Sequence, residues 1–414
     1  MPFLLTPPRK LARGEFVVML AMVMALGALG IDAMLPALPD IARDLRVQDP
    51  NDRQLIVGSY LIGMGFGAIV FGFLADRFGR KRVLISGIAC YCLFDFGCMI
   101  MSNFELMVAF RFVNGFVASS GIVIASAIVR DEFEGDQMAR ITSLIAVVFM
   151  IVPVMAPTLG QAVLLFAGWR AIFGLTFGMG IIMLIWVTLR MPETLAHHHR
   201  QAITVKQVAH NFRLVVTNRD AVGYVLGASL VFGGLYGYLN SSEQLVAEHF
   251  GQGGRFAYIF GGMAMFMALG SLINSRIVER FGARRVSHSA LLVFVTAGAA
   301  QWIVATVAPD NFWLFLPIMT LNLSLIGFLG ANFTSIALQP FAHFAGSASS
   351  LQTTVRTGGG AVIGAVVGAA YDGTARPVAM AMFGLSLTAI LLVLYSERGK
   401  LFRRRKGFVP QVTD

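Results

Sequence analysis

Twelve apolar runs, each long enough to cross a lipid bilayer as an α-helix, make up most of this chain of 414 residues. A spanning helix satisfies its own backbone hydrogen bonds, so runs of this length predict a bundle of membrane helices. Only 13% of the residues are charged, whereas soluble domains have about 25%. The runs cover residues 16–36, 54–74, 83–101, 105–129, 141–166, 171–189, 221–246, 256–277, 287–307, 312–338, 348–371 and 377–395.

A short basic loop follows the second run and recurs in the second half of the chain. Residues 72–83 read Gly-Phe-Leu-Ala-Asp-Arg-Phe-Gly-Arg-Lys-Arg-Val, and residues 279–286 repeat the order acid, Arg, Phe, Gly, any residue, basic, Arg, Val. Glu279 follows Asp76 by 203 residues, which is close to half of the chain. Parallel repeats about an axis along the membrane normal are one known transporter architecture. The loop therefore predicts an internal duplication.

We predict an all-α polytopic membrane protein with twelve transmembrane helices in two six-helix, pseudo-symmetric domains. The predicted segments are a first domain (1–190), a linker with an amphipathic helix (191–220), a second domain (221–396) and a basic tail (397–414). If both termini are cytoplasmic, 24 of the 32 Lys and Arg residues lie in inner segments and six in outer loops. The positive-inside rule favours this orientation.

The linker and the tail carry further patterns. Residues 197–199 are three histidines that could bind a metal ion, but a solvated linker is the better interpretation. The basic residues 403–406 predict an anchor near anionic lipid. Apolar residues at helical spacing in the linker predict a helix on the membrane surface, and these are Val205, Val208, Phe212 and Val215.

The loop at residues 72–83 resembles the signature of the major facilitator superfamily, Gly-x-Leu-x-Asp-Arg-x-Gly-Arg-Lys. Further stretches resemble its bicyclomycin and chloramphenicol resistance (Bcr/CflA) branch of drug:proton antiporters, and they cover residues 32–39, 111–115, 153–160, 168–170, 192–195 and 346–349. Three positions depart from that pattern. Asn114 stands where Gln is frequent, Ser275 replaces the first glycine of the second loop, and Arg356 lies in the eleventh span where a neutral residue is expected.

The resemblance implies a role for the loop after the second span. Gly72, Asp76, Arg77, Gly79 and Arg80 would form a latch that holds the two halves together on the cytoplasmic side in the outward-open state. The two glycines permit close packing and a tight turn, and the aspartate can accept hydrogen bonds from a helix N-terminus and pair with the second arginine. The alternative is a loop that only determines topology.

The fifth span contains two prolines one helical turn apart. Pro153 and Pro157 remove two backbone hydrogen bonds on nearly the same face, so the helix is expected to bend. Ala156 and Gly160 flank this face and allow another helix to approach closely. The resemblance implies the antiporter motif, a bend and seal between the halves, whereas a purely structural kink is the alternative.

Charged residues inside spans are the candidates for function, because an ionised group at the centre of a membrane helix costs about 2.5–3.5 kcal/mol on insertion scales. We find Asp32 in the first span, Asp95 in the third, Arg111 in the fourth and Arg356 in the eleventh, with Glu243 near the outer end of the seventh. Polar and charged residues at compatible depth are expected to line a substrate cavity, and these are Asp32, Tyr60, Tyr236, Tyr238, Asn240, Asn332 and Arg356.

Asp32 is the predicted proton carrier. Burial disfavours the ionised form of a carboxyl, so we expect Asp32 to exchange a proton near neutral pH, with Arg111 modulating it. The alternative for Asp32 is a capping acid near the outer interface. Asp95 is a further proton-coupling candidate, or it pairs with Arg111 and only neutralises it. Arg356 could receive an anionic substrate, repel cations or extend toward the inner water cavity.

The predicted function is proton-coupled export of small amphipathic compounds such as chloramphenicol-type or bicyclomycin-type antibiotics, by alternating access. The alternative is a proton-coupled or uniport metabolite transporter. No metalloprotease, hydrolase or ATP-binding motif appears in the sequence, so we do not expect an enzyme. We expect protons as the coupling ion, no cofactor, no metal and no nucleic acid, and a monomer in the bacterial inner membrane with both termini cytoplasmic.

Overall fold

The computed structural model describes residues 11–133, 135–195 and 205–402, and these ranges are helical without a β-strand. The first half forms α1 (Arg13–Asp32), α2 (Leu55–Phe78), α3 (Arg80–Ile100), α4 (Phe104–Glu132), α5 (Gly135–Phe166) and α6 (Arg170–Arg190). The second half forms α7 (Arg219–Glu243), α8 (Phe256–Phe281), α9 (Ala283–Val307), α10 (Phe312–Leu338), α11 in three pieces (Ala345–Thr354, Val355–Gly359 and Gly360–Ala369) and α12 (Arg376–Ser396).

Helix α11 is interrupted in the membrane. Its middle piece, Val355–Gly359, is a π-helix, a rare form that occurs mostly as a local bulge and frequently at functional sites. Eleven helices in the described ranges are long, continuous and apolar enough to span a membrane, and α11 supplies the twelfth predicted span. The predicted fold of twelve helices in two six-helix halves is confirmed.

The duplicated loop has the same backbone turn in both copies. Gly79 (φ 100°) separates α2 from α3, and Gly282 (φ 83°) separates α8 from α9. Side chains disfavour positive φ, so glycine permits each turn. We call the end of the bundle that holds both loops the inner end, which is predicted to face the cytoplasm, and the opposite end the outer end.

The linker contains the expected helix, at Val205–Thr217. Within it Val215 is buried and Phe212 is exposed. The histidines at 197–199 and the basic residues at 403–406 lie outside the described residues.

Helices α2 and α4 meet through glycines. A Cβ atom added to Gly63 would overlap the carbonyl group of Phe112, and one added to Gly115 would overlap that of Tyr60. Small residues let membrane helices approach backbone to backbone. This contact sets the position of Arg111, which lies on α4 one helical turn before Gly115.

We expect Gly115→Ala to destabilise the protein by about 1–3 kcal/mol, because the new methyl group must displace the backbone of Tyr60. The measurement is the loss of monodisperse protein on heating in detergent, followed by size-exclusion chromatography. Gly178→Ala is the matched control, since nothing lies within 4 Å of an added Cβ there. Equal stability of the two variants would contradict a glycine-mediated contact.

Candidate functional site: the central cavity

A cavity of about 540 Å³ lies between the two halves. Its wall is formed by α1, α2, α4 and α5 of the first half and by α7, α8, α10 and α11 of the second. Most of the lining side chains are aliphatic, aromatic or methionine, including Met24, Met64, Phe232, Phe260 and Met263. The volume falls within the usual 300–1,000 Å³ of ligand pockets, and the largely apolar wall with few polar groups is also typical.

Asp32 is the one carboxylate among the lining residues. It is the last residue of α1 and is only 6% exposed. No hydrogen bond or ion pair joins its side chain to another residue within the described ranges. A buried carboxylate without a partner is costly, so this position favours either a bound proton or a polar group of an occupant.

Arg356 is the one guanidinium among the lining residues and comes from the π-segment of α11. Its Nη1 lies 3.4 Å from Thr334 Oγ1, and its guanidinium carbon lies 4.8 Å from the centroid of the Phe232 ring. Its Nε is buried without a hydrogen-bond partner in the described part of the chain. The two charged groups of the cavity therefore have opposite signs and belong to opposite halves.

Arg111 lies on α4, is completely buried and does not line the cavity. Its Nη2 donates to the Gly30 carbonyl at 2.8 Å, its Nε donates to the Ile56 carbonyl at 3.3 Å, and its guanidinium carbon lies 4.2 Å from the centroid of the Tyr60 ring. Gly30 is in the last turn of α1, where carbonyls lack helical partners and a cation is favourable. Arg111 therefore fixes the end of α1 two residues before Asp32.

Asp95 is also completely buried but does not line the cavity. It accepts a hydrogen bond from the Thr176 hydroxyl of α6 and one from Asn114 Nδ2 at 3.4 Å. Among the described residues it forms no ion pair with Arg111. The option that these two residues pair directly is not realised here, because Arg111 binds backbone carbonyls instead.

The predicted cavity residues divide into two groups. Tyr236 and Tyr238 line the cavity together with the two charged residues, whereas Tyr60, Asn240 and Asn332 do not. The Tyr60 hydroxyl donates to the Gly27 carbonyl at 3.0 Å, and Asn332 Nδ2 donates to Asn274 Oδ1 at 2.8 Å. Their positions along the predicted spans follow from the sequence, whereas the direction in which each side chain points does not.

The proline motif of α5 contacts both halves. Pro153 lines the cavity, and Ala156 and Pro157 are buried. A Cβ atom on Gly160 would overlap the Ala33 carbonyl next to Asp32, so α5 packs directly against the end of α1. Helix α8 of the second half also packs on α5, because Gly261 of α8 lies against the carbonyl oxygen of Val154 in α5.

The outer end is closed by polar contacts between the halves. Arg53, just before α2, lies 3.5 Å from Glu243 and 2.5 Å from Glu248. The adjacent Gln54 donates a hydrogen bond to the side chain of Gln244. Of these residues only Glu243 was predicted from the sequence. The signal for the others was polar side chains near the outer ends of the second and seventh spans, where Arg53 is opposite in charge to Glu243 and Glu248.

At the inner end, the predicted latch binds within its own half. Arg80 pairs with Asp76, its Nε donates to Asp131 at 2.8 Å, and its backbone N–H donates to Glu193 at 2.7 Å. Arg77 lies over the Phe78 ring. No ion pair connects Asp76 to the second half within the described ranges.

Gly72 lies at the boundary between the halves. A Cβ atom added there would be 3.7 Å from Ser350 Oγ of α11, an ordinary van der Waals contact. The second half has a parallel inner cluster, in which Arg284 Nε donates to Glu397 at 2.8 Å and the Tyr224 hydroxyl donates to the same carboxylate at 2.8 Å. Each half thus carries its own inner charge cluster.

Two six-helix halves around a shared central cavity define a secondary transporter architecture. The chain belongs to the Major Facilitator Superfamily, which it matches over residues 20–365. Among curated relatives, it is 29% identical to a bicyclomycin resistance protein homolog of Haemophilus influenzae, over 91% of this chain and 94% of that protein. It is 28% identical to the multidrug resistance protein MdtL of Klebsiella pneumoniae, over 88% of this chain and 92% of that protein.

The solved structures agree on the fold. A bacterial homolog of the human lysosomal transporter Spinster, in an inward-facing conformation, matches with a TM-score of 0.69 at 14% identity. The match covers 94% of this chain and 97% of that one.

We expect Arg53→Gln to weaken the outer closure, because Glu243 is then left buried without its counter-charge. The measurement is the rate at which a membrane-impermeant maleimide labels Leu239→Cys in the cavity from the outer side, in a background without the native cysteines. The rate should rise about tenfold or more. Arg43→Gln is the control, since its ion pair with Asp40 is exposed and lies within one half. Equal rates would show that Arg53 does not hold the outer end closed.

Proposed function

We propose that this protein exports small amphipathic compounds in exchange for protons, by alternating access of its two halves to the central cavity. The observation that carries the proposal is Asp32, a buried carboxyl without a partner among the described residues in a mostly apolar cavity wall. The printed names of the relatives concern bicyclomycin and multidrug resistance. Chloramphenicol-type and bicyclomycin-type antibiotics are the proposed substrates.

Exchange follows from competition at Asp32. In an apolar wall an ionised carboxylate is unfavourable, and either a proton or a polar group of a substrate relieves that cost. Both cannot do so at once. If the halves reorient readily only when the carboxylate is compensated, a proton enters in one direction for each substrate that leaves in the other.

Arg111 acts in this proposal as a positioning residue. Its hydrogen bond to Gly30 connects α4 to the end of α1 that carries Asp32. A shift of α1 against α4 would change the surroundings of the carboxyl, which is how proton affinity could differ between conformations. Asp95, bound to Thr176 on α6, remains the second candidate for a proton site.

The latch and the proline motif are proposed to act at different contacts between the halves. In the outward-open state the latch of Gly72, Asp76, Arg77, Gly79 and Arg80 would bind across the inner end, where Gly72 already lies beside α11. Helix α5, which packs on both α1 and α8, would seal the halves around its prolines.

The oligomeric state, membrane location and orientation are part of the same proposal. The protein is a monomer in a bacterial inner membrane with both termini in the cytoplasm, in accord with the distribution of Lys and Arg. Protons are the coupling ion, and we propose no cofactor or nucleic-acid partner.

Asp32→Asn is expected to abolish proton-driven accumulation of chloramphenicol in proteoliposomes with an acidic interior, because the amide cannot carry the proton. Chloramphenicol binding should persist, since the amide keeps the size and polarity of the side chain. Asp310→Asn is the control, because this aspartate is exposed in an outer loop. If the Asp32 variant still couples, the proton site lies elsewhere, with Asp95 and Glu243 tested next.

Metabolite transport is the alternative, and the same vesicles separate it from efflux. Movement of substrate without regard to the pH gradient would indicate uniport. Accumulation favoured by an acidic exterior would indicate proton symport. Either result with the wild-type protein would contradict the exchange mechanism.

A further inference from the structure

Arg356 is the least explained charge in the described part of the chain. It is the twelfth residue of α11, close to the middle of the predicted membrane, where a cation is energetically unfavourable. Its contacts are a hydroxyl at 3.4 Å and the face of Phe232, and its Nε is buried without a partner. No acidic residue in the described ranges pairs with it. Arg111 differs from it in that two of its nitrogens, Nε and Nη2, donate to backbone carbonyls, although its Nη1 is also buried without a partner in the described ranges.

The backbone at Arg356 supports a ligand-binding role. The π-segment Val355–Gly359 interrupts α11 at this residue and nowhere else in that helix. Such segments are frequent at functional sites, because the extra residue in the turn displaces one side chain from the regular helical face. Here the cavity wall includes Arg356 and its neighbour Thr357.

We propose that Arg356 is the subsite for the acidic group of an amphipathic zwitterion, whose basic group binds Asp32. The inference rests on the proposed function, because it uses Asp32 as the site of exchange. The cavity offers one carboxyl and one guanidinium on opposite halves, and the rest of its wall is largely apolar. A compound with an amine and a carboxylate on an apolar body complements all three features.

The charges also favour this class over singly charged compounds. A lipophilic cation would bind Asp32 but place its charge in the same low-dielectric cavity as Arg356. An organic anion would pair with Arg356 but favour a proton on Asp32, so that anion and proton would move together. A zwitterion compensates both groups, and its ammonium group displaces the proton from Asp32. Binding of one zwitterion therefore releases one proton, as exchange requires.

Other ionisable groups lie around Asp32 and Arg356. They are Arg111, Tyr60 and Asp95 behind α1, and Tyr236 and Tyr238 in the opposite wall. Arg111 and Asp95 already have hydrogen-bond partners in the protein. We therefore assign the released proton to Asp32.

The test is a matched set of probes on phenyl and biphenyl scaffolds, which cover two separations of the groups. The zwitterion of each set is an aminomethyl carboxylic acid, and its methyl ester is the cation. The same carboxylic acid without the amine is the anion, and the methyl ester of that amine-free acid is the neutral analogue. Binding to the purified protein in nanodiscs is measured by calorimetry in two buffers of different ionisation enthalpy, which also counts released protons.

We expect at least one zwitterion to bind more tightly than its three analogues and to release about one proton. Arg356→Gln should weaken its binding by about 10- to 100-fold, the usual worth of a charged hydrogen bond. The same change should leave the neutral ester unaffected and the cation unaffected or improved. Arg356→Lys should restore part of the affinity, because it keeps the charge. Arg255→Gln, on the exposed outer side, is the matched control.

The subsite is overturned if Arg356→Gln binds both zwitterions as tightly as the wild type does. It is also overturned if the wild type binds zwitterion, cation and anion with equal affinity, or binds none of them. Binding of the neutral ester and thermal unfolding verify that the variants are folded. Gradient-driven chloramphenicol transport is measured in parallel. If that transport persists while the probes show no zwitterion preference, the subsite fails and the proposed export stands. If the preference is found without gradient-driven transport, the proposed export fails instead.

Discussion

A charge buried among membrane helices needs compensation, and this constraint separates the polar residues of the protein into two groups. Arg111 and Asp95 are fully buried, and their hydrogen bonds go to backbone carbonyls or to a hydroxyl and an amide. Asp32 and Arg356 instead lie in the cavity wall, where Asp32 has no hydrogen-bond partner and Arg356 has only the Thr334 hydroxyl at 3.4 Å in the described ranges. The protein leaves uncompensated the two charges that an occupant of the cavity can reach.

The two ends of the bundle use their ion pairs differently. At the outer end Arg53 pairs with acidic residues of the other half, whereas at the inner end Arg80 and Arg284 each pair within their own half. Contacts of the first kind must break for the halves to separate, and contacts of the second kind need not. The ion pairs of the duplicated inner loops therefore connect helices within each half and leave this end without ionic closure among the described residues.

The sequence predicted the parts of this structure that depend on hydropathy and on local backbone preference. The twelve spans follow from length and apolar content, and the two loop glycines, Gly79 and Gly282, both adopt positive φ. The directions of side chains could not be predicted in the same way, because most helices here are apolar on every face. Tyr60 and Asn332 were therefore predicted to line the cavity, but they point into helix contacts and not into the cavity.

The depth of each charge decides which conformational changes are inexpensive. Glu248 is half exposed, so water can solvate this partner of Arg53 when the outer end opens, and separation costs less than for a pair in the membrane centre. Asp32 and Arg356 lie deeper in the cavity wall, where solvation is weaker and an occupant matters more. The ion pairs of the outer end lie near water, whereas Asp32 and Arg356 lack a counter-charge in the cavity wall. Together they make the equilibrium between conformations depend on what the cavity binds, which coupled transport requires.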